Sequence, residues 1–201
     1  MLPQTTIISS AVLLFLVMDP LGNILFFLSA LKNVPASRQN YVIVRELLFA
    51  LAALLLFLFL GGPAVKLMGL SEQALGVGGG VILMLIALRM VFPSPEHTLE
   101  EDVDTEPFIV PLAIPYVAGP SSLATVLLLM SREPSRWPEW TLAVLLAWGA
   151  CVPIMLASGF LRKLLGRRGL TAVERLMGLV LVTIAVQMLM TGIADFLAQH
   201  H

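Results

Sequence analysis

The sequence predicts an all-α integral membrane protein built from six transmembrane helices. Of its 201 residues, 58% are hydrophobic and 12% are charged, whereas soluble domains carry about 25% charged residues. Apolar stretches of the roughly 20 residues needed to cross a bilayer occur six times. They cover residues 5–30, 42–65, 74–92, 108–130, 139–161 and 173–197. Because little chain is left over, we expect a single membrane domain.

The basic residues predict how this domain is oriented. With six spans, the loops after the first, third and fifth spans share one side of the membrane. That side holds nine of the twelve Lys and Arg residues, namely Lys32, Arg38, Arg45, Arg89, Arg162, Lys163, Arg167, Arg168 and Arg175. Since cytoplasmic loops are enriched in Lys and Arg, both termini are expected outside the cytoplasm. The acidic stretch at 93–107 is then a cytoplasmic linker, and its carboxylates suggest a solvated loop rather than a cation site.

The chain also resembles itself at a spacing of about 100 residues. "GVILMLIALRMV" (80–91) aligns with "GLVLVTIAVQML" (178–189), and "GPAVKLMG" (62–69) aligns with "GFLRKLLG" (159–166). "MDPLGN" (18–23) likewise aligns with "AGPSSL" (118–123), which pairs Pro20 with Pro120. Each unit carries three spans, so the second unit must enter the membrane from the opposite side. We therefore predict two inverted three-helix repeats, 1–92 and 108–197, an arrangement found in many secondary transporters.

The first and fourth spans are predicted to be broken helices. Pro20 cannot donate a backbone hydrogen bond, and Gly22 tolerates backbone angles that other residues resist. In the fourth span "GPSS" resembles a helix start at Gly119-Pro120, whose free N–H groups and dipole suit an anionic group. For both prolines, the alternative interpretation is a structural kink, which is common in membrane helices.

Asp19 stands in the first of these breaks, where a charged side chain costs roughly 2.5–3.5 kcal/mol on insertion scales. We expect its carboxylate to face a polar cavity. The alternative is a helix cap on the N–H of Gly22 or Asn23, and the two roles are compatible. Glu46 is a secondary candidate for carrying a proton, although pairing with Arg45 or snorkelling is the simpler interpretation.

The same residues resemble a known family. "MDPLGNILFFLSALKNVP" (18–35), "EEDVDTEPFIVPLAIPYVAGPSSLATVLLL" (100–129) and "RLMGLVLVTIAVQMLMTGI" (175–193) are similar to the MarC family (UPF0056) of bacterial inner-membrane proteins, in its YhgN-like branch. The resemblance implies six spans and a grouping with small neutral amino acid transporters, some of which carry glycine and alanine with protons. Its motif positions are Asp19, Pro20, Gly22, Asn23, Gly119, Pro120 and Ser121. Leu25 departs from the pattern, since many relatives have Pro there.

We therefore hypothesise that the chain is a secondary transporter of small neutral amino acids in the bacterial inner membrane. The substrate carboxylate would meet Gly119, Ser121, Ser122 and Thr125, and its ammonium would meet Asp19, Asn23 or freed carbonyls. The coupling ion, H⁺ or Na⁺, would bind at Asp19 or Glu46. We expect no cofactor, no resident metal and no nucleic-acid partner, and a homo-oligomer is left open.

Other functions fit the sequence less well. An ion or metal permease would require several carboxylates or His residues within the spans, and apart from Asp19 and Glu46 they are missing. An intramembrane enzyme with Ser121 or Ser122 as nucleophile would need a base, but His97, His200 and His201 all lie outside the spans, so we expect no enzyme. A structural or signalling membrane subunit is the remaining alternative.

Overall fold

In the computed structural model, the described residues are 6–31, 34–67, 69, 71–92 and 117–199, and their regular structure is entirely helical. The helices are α1 (Ile7–Met18), α2 (Pro20–Ala30), α3 (Ala36–Leu67), α4 (Glu72–Val91), α5 (Pro120–Arg132), α6 (Trp137–Leu156) and α7 (Ser158–Gln199), with a short 3₁₀ turn at Pro134–Arg136.

Five of the predicted spans are present as helical segments that are long and apolar enough to cross a membrane. Within the described residues these are Ile7–Ile24, Ala36–Pro63, Gln73–Val91, Pro134–Leu156 and Arg168–Ala198. The predicted span 108–130 is not confirmed as a sixth, because its residues up to 116 lie outside the described part. The helix within the rest of this span is α5, which has 13 residues, and at 1.5 Å per residue it covers only about 20 Å of a hydrocarbon core about 30 Å thick.

The prediction of a loop between the fifth and sixth spans is wrong. α6 ends at Leu156 and α7 begins at Ser158, so the chain from 162 to 172 is helical. This stretch contains Leu, Arg and Lys, which are strong helix formers, and no proline. The one non-helical residue inside α7 is Gly166, with φ 63° and ψ 176°.

Gly166 has a counterpart at the matching place in the first half of the chain. Gly69 has φ 66°, and the alignment of 62–69 with 159–166 pairs these two residues. They are the two glycines with positive φ in the described ranges. This backbone conformation favours glycine, which has no Cβ to clash. The sequence repeat therefore coincides with a repeated break in the backbone.

α4 and α7 pack closely through another pair of aligned glycines. A Cβ on Gly80 would lie 3.2 Å from the carbonyl oxygen of Ala185, and a Cβ on Gly178 would lie 3.1 Å from that of Ala87. The alignment pairs Gly80 with Gly178 and Ala87 with Ala185, so each contact is the reciprocal of the other. Because the lower-numbered residue of one helix meets the higher-numbered residue of the other, the two helices run antiparallel at this contact.

The remaining packing follows the same correspondence. α2 lies against α6 and α7, whereas α5, its counterpart in the second half, lies against α3 and α4. Since α3 and α4 align with α6 and α7, α2 and α5 each pack into the opposite unit. The larger buried cluster joins both units, with Leu14 and Met18 of α1, Leu47 of α3 and Ala147 of α6 among its members.

The distribution of polarity is that of a membrane protein. Large apolar side chains are exposed on the outside, including Ile8 at 73%, Leu85 at 56% and Met190 at 64%. Among the residues whose burial is described, the buried polar ones are Ser10, Asp19, Asn23, Glu46, Ser121, Ser122, Thr125 and Ser158. Polar groups in a bilayer are expensive unless they face the interior of the helix bundle, and these do.

Candidate functional site

The break expected at Asp19-Pro20 is present. α1 ends at Met18 and α2 begins at Pro20, while Asp19 between them takes the left-handed conformation with φ 43° and ψ 61°. Among the described residues it is the one non-glycine with positive φ. Such backbone strain costs of order 1–3 kcal/mol and often occurs at functional sites.

The polar groups released by this break are satisfied locally. The Asp19 N–H donates to the carbonyls of Phe15 and Leu16, both at 3.1 Å. The Gly22 N–H, which would bond the Met18 carbonyl in an unbroken helix, donates instead to Asp19 Oδ1 at 3.1 Å. Asn23 Nδ2 takes over that carbonyl at 2.9 Å. Asp19 therefore caps α2, as the alternative interpretation proposed, and Asn23 holds the end of α1.

Gly22 allows the carboxylate to lie against the helix. A Cβ at this position would overlap Asp19 Oδ2 and lie 2.7 Å from Met90 Cε. Any larger residue would therefore displace the carboxylate or the Met90 side chain. Asp19 itself is 8% exposed, and Oδ2, unlike Oδ1, makes no hydrogen bond within the described part of the chain.

The second helix start also lies where it was expected. α5 begins at Pro120 with Gly119 as its N-cap. The Ser122 hydroxyl donates to the carbonyls of Val117 at 3.2 Å and Gly119 at 2.8 Å. As with Asn23 and Met18, a side chain in the first turn bonds a carbonyl five residues earlier, on the far side of the break.

The hydroxyls predicted to meet a substrate divide into two groups. Ser122 and Thr125 donate to backbone carbonyls, Thr125 to that of Ser121 at 2.8 Å. The Ser121 hydroxyl makes no hydrogen bond to any described residue, although Ser121 is buried. Ser121 is therefore available for a ligand, whereas Ser122 and Thr125 stabilise the start of α5.

The break at Asp19 and the start of α5 border one buried cluster. Met18, which precedes Asp19, and Val117 and Ala118, which precede α5, belong to the same group of packed residues. α1 and α5 are also in contact. Of the candidate residues, Asp19, Pro20, Gly22, Asn23, Gly119, Ser121, Ser122 and Thr125 are buried, whereas Pro120 is exposed.

Asp19 has two titratable neighbours from other helices. The negative charge of Glu174 on α7 acts on Asp19, and the charge of Asp19 acts on Cys151 of α6. Glu174 is not among the site residues predicted from the sequence. Its one signal in the sequence is an acidic residue inside the predicted span 173–197.

Glu46 is fully buried. Its Oε1 accepts hydrogen bonds from Arg45 Nε at 3.0 Å and Nη2 at 2.8 Å, so the pairing with Arg45 is present. Its other carboxylate oxygen, Oε2, is buried without a hydrogen-bond partner, as is the hydroxyl of Ser10. Leaving a buried polar atom unsatisfied costs about 1–3 kcal/mol, and more for a charged group. Ser10 is not among the site residues predicted from the sequence.

The described cavities lie elsewhere. One of about 630 Å³ is lined by Arg168, Thr171, Ala172, Arg175, Leu176 and Leu179 of α7. Another of about 400 Å³ is lined by Leu28, Leu31, Gln39, Gly159, Arg162 and Lys163. Asp19, which was expected to face a polar cavity, lines neither of them. Within the described ranges, no group of three or more His, Cys, Asp or Glu residues is placed to hold a metal ion.

Known proteins resemble this chain over nearly its whole length. The model of the MarC family integral membrane proteins matches residues 4–197. The UPF0056 inner membrane protein YhgN of Escherichia coli (strain K12) is 48% identical over 188 residues, covering 93% of this chain and 95% of the relative. A UPF0056 membrane protein of Buchnera aphidicola from Schizaphis graminum is 44% identical over 93% of this chain and 95% of its own. One from Pyrococcus abyssi is 34% identical over 90% of each chain. No solved structure matches.

Proposed function

The chain belongs to the MarC family of integral membrane proteins, and from this premise we propose that it is a secondary transporter of small neutral amino acids. It is a multi-pass inner-membrane protein, as its apolar helices and the names of its relatives indicate. The amino acid specificity rests on the grouping of the family with carriers of small neutral amino acids and on the chemistry of the two helix breaks. Transport is driven by an ion gradient, and no enzymatic step is involved.

The observation that carries this proposal is the carboxylate of Asp19, which is buried at a helix break and has one oxygen without a hydrogen-bond partner among the described residues. Oδ1 is held by the Gly22 N–H at 3.1 Å, which fixes the side chain, while Oδ2 has no hydrogen-bond partner in the described ranges. A carboxylate in a bilayer interior favours a nearby cation or takes up a proton. The substrate ammonium and the coupling ion are both suitable partners for Oδ2.

The α5 start supplies the complementary charge. Pro120 has no N–H, but the N–H groups of Ser121 and Ser122 belong to the first turn, where no carbonyl inside the helix reaches them. Together with the helix dipole, they suit the substrate carboxylate. The Ser121 hydroxyl adds one more donor. Ser122 and Thr125 hold the backbone in place through their bonds to carbonyls.

The reciprocal packing supports an inverted repeat. An antiparallel pair with reciprocal contacts, such as Gly80 on Ala185 and Gly178 on Ala87, is related by a two-fold axis perpendicular to the helices. If both helices cross the bilayer, that axis lies in the membrane plane, as in many secondary transporters. We place both termini on the periplasmic side, following the distribution of Lys and Arg.

Coupling is assigned to a proton, with Na⁺ as the alternative. Asp19 holds the substrate ammonium when ionised and releases it when protonated. Glu46 is a second coupling candidate, because its Oε2 is buried without a partner beside the oxygen that Arg45 holds. A homo-oligomer is compatible with this mechanism but is not required by it.

The test is uptake into liposomes that contain the purified protein. Labelled glycine, alanine and a bulky amino acid such as leucine are supplied with an imposed pH gradient, an imposed Na⁺ gradient or neither. We expect accumulation of glycine or alanine above protein-free liposomes, driven by the pH gradient. If no small neutral amino acid is taken up or exchanged under any gradient, the proposed function is wrong.

A further inference from the structure

We propose that a groove on α7 binds one anionic phospholipid, whose phosphate lies between Arg168 and Arg175. An acyl chain of the lipid lies along Leu176 and Leu179. The groove is the cavity of about 630 Å³ that these residues line. Lipid binding here goes beyond the proposed function and does not rest on it, because the ligand comes from the surrounding membrane and is not the transported substrate.

The residues of the groove share one face of α7. Arg168, Arg175 and Leu179 are spaced by seven and four residues, which places them on the same side of a helix. Leu176 and Leu179 are both more than half exposed. Farther along, the same face carries three more exposed apolar side chains, Val186, Met190 and Ile193. A cationic end that continues into an apolar stripe matches an amphiphile lying along the helix.

The length of α7 sets the depth of the two arginines in the membrane. Its apolar part, Arg168–Ala198, has 31 residues and is about 46 Å long, whereas the hydrocarbon core is about 30 Å thick and takes about 20 residues. The far end carries Asp195, which is paired with Arg132 at 2.6 Å. A core that ends just before Asp195 therefore begins near Arg175. Arg175 lies at the edge of the hydrocarbon, and Arg168, two turns earlier, lies among the lipid headgroups.

Both arginines are in a position to hold a phosphate. Neither forms a hydrogen bond or an ion pair with another residue in the described part of the chain. They are about 10 Å apart along the helix axis, so their long side chains can approach one headgroup from two sides. A guanidinium binds phosphate through two parallel hydrogen bonds, which makes arginine well suited to this contact.

The surroundings of the groove favour negative charge. The described residues that line it include no carboxylate. Arg168 stands two residues after the non-helical Gly166, in the first turn of the helix that follows, where the helix dipole adds positive potential. Basic pockets of this kind at the membrane surface bind the headgroups of anionic lipids. A soluble phosphate would use the arginines alone, whereas a phospholipid also covers the exposed leucines.

Native mass spectrometry of the purified protein in detergent tests the proposal by counting bound lipids. The protein is titrated with phosphatidylglycerol, with phosphatidylcholine of the same acyl chains, or with inorganic phosphate. We expect the wild-type protein to bind one phosphatidylglycerol saturably and more tightly than phosphatidylcholine, and to retain no inorganic phosphate. The groove variant, Arg168→Gln with Arg175→Gln, should bind phosphatidylglycerol at least about 10-fold more weakly, because it loses charged hydrogen bonds. Its binding of phosphatidylcholine should stay unchanged.

The matched control is Arg162→Gln with Lys163→Gln. These substitutions remove the same charge from exposed residues in the first part of α7, which line the other cavity, so phosphatidylglycerol should bind as it does to wild type. Folding is checked by thermal unfolding in lipid-free detergent, where the groove variant should match wild type because its arginines are exposed. If the groove variant unfolds earlier, Arg168→Gln and Arg175→Gln are compared singly, and each should weaken phosphatidylglycerol binding.

Each outcome supports or overturns the proposal. Weaker phosphatidylglycerol binding by the groove variant, with the control unchanged, supports it. An equal loss in the control would show a general effect of surface charge, and unchanged binding by the groove variant would place the lipid elsewhere. Equal affinity for the two lipids, or retention of inorganic phosphate through the same arginines, would also overturn it. A protein dimer that the groove variant abolishes would assign this face to a second copy of the chain instead.

Discussion

At the scale of single residues, Asp19 connects local chemistry with the fold. Its backbone adopts the left-handed conformation, and its side chain caps α2 through Gly22. Both features follow from neighbours in the sequence, because Pro20 removes a donor and an aspartate beside it accepts the N–H that becomes free. The break and its cap were therefore predictable from residues 17–28.

Glu174 and Ser10 could not be found in the same way. Glu174 acts on Asp19 across the contact between α7 and α2, and Ser10 is unusual only because the surrounding helices bury it without a partner. Neither residue stands beside a proline or glycine that would mark it. Their environments depend on residues far away in the chain, which a reading of local patterns does not supply.

Two adjacent serines at the start of α5 should respond differently to the same substitution. Ser122→Ala leaves the carbonyls of Val117 and Gly119 without their side-chain donor, so we expect a loss of about 1–3 kcal/mol in stability. Ser121→Ala breaks no hydrogen bond to a described residue, so its stability should be close to wild type while its affinity for amino acid falls. Thermal unfolding in detergent and the concentration dependence of uptake measure the two effects. Equal destabilisation by both substitutions would contradict the assignment.

At the scale of helices, the apolar segments of the sequence predict where five spanning helices lie, but they predict the ends of those helices less well. The spans at 42–65 and 74–92 correspond to α3 (Ala36–Leu67) and α4 (Glu72–Val91). The prediction of a loop between the last two spans was wrong, because the charged residues at 162–168 were taken as a sign of irregular structure. Arg and Lys are good helix formers, and a helix at the membrane surface can expose them while its leucines contact apolar surroundings.

The contact between α4 and α7 gives a prediction at this scale. A Cβ on Gly80 would lie 3.0 Å from Leu189 Cγ, and one on Gly178 would lie 2.9 Å from Val91 Cγ2. Because these contacts are reciprocal, we expect Gly80→Ala and Gly178→Ala to destabilise the protein by similar amounts, about 1–3 kcal/mol each. The matched control is Gly78→Ala on the same helix, where a Cβ would meet nothing within 4 Å. Thermal unfolding in detergent reports all three, and a neutral Gly178→Ala beside a costly Gly80→Ala would argue against equivalent contacts.

At the scale of the whole molecule, the sequence predicts a repeat because three short alignments occur in the same order along the chain. The structure adds that the aligned Gly69 and Gly166 both have positive φ, and that the aligned helices α2 and α5 pack against helices that are themselves aligned. The orientation of the two units in the membrane depends on the span count, and residues 108–116 of the fourth predicted span lie outside the described part.

Topology can be measured directly by labelling introduced cysteines with a membrane-impermeant maleimide. Cys151 is buried and can be replaced by alanine to give a clean background. We expect Ser135→Cys, between α5 and α6, to react in intact cells, and Arg162→Cys, in the first part of α7, to react only after the membrane is opened. The opposite pattern would reverse the orientation, and labelling of both positions in intact cells would contradict the predicted span count.

The central claim is that Asp19 carries the charge that couples substrate to the ion gradient. The most direct measurement is alanine uptake into proteoliposomes under an imposed pH gradient, comparing wild type with Asp19→Asn. Asparagine keeps an oxygen that can cap Gly22 but has no charge to hold an ammonium or release a proton. The control is Asp195→Asn, which makes the same change at an exposed residue bonded to Arg132 at 2.6 Å. We predict that Asp19→Asn unfolds at the wild-type temperature but accumulates no alanine, while Asp195→Asn behaves as wild type; normal gradient-driven uptake by Asp19→Asn would leave Asp19 as a helix cap alone.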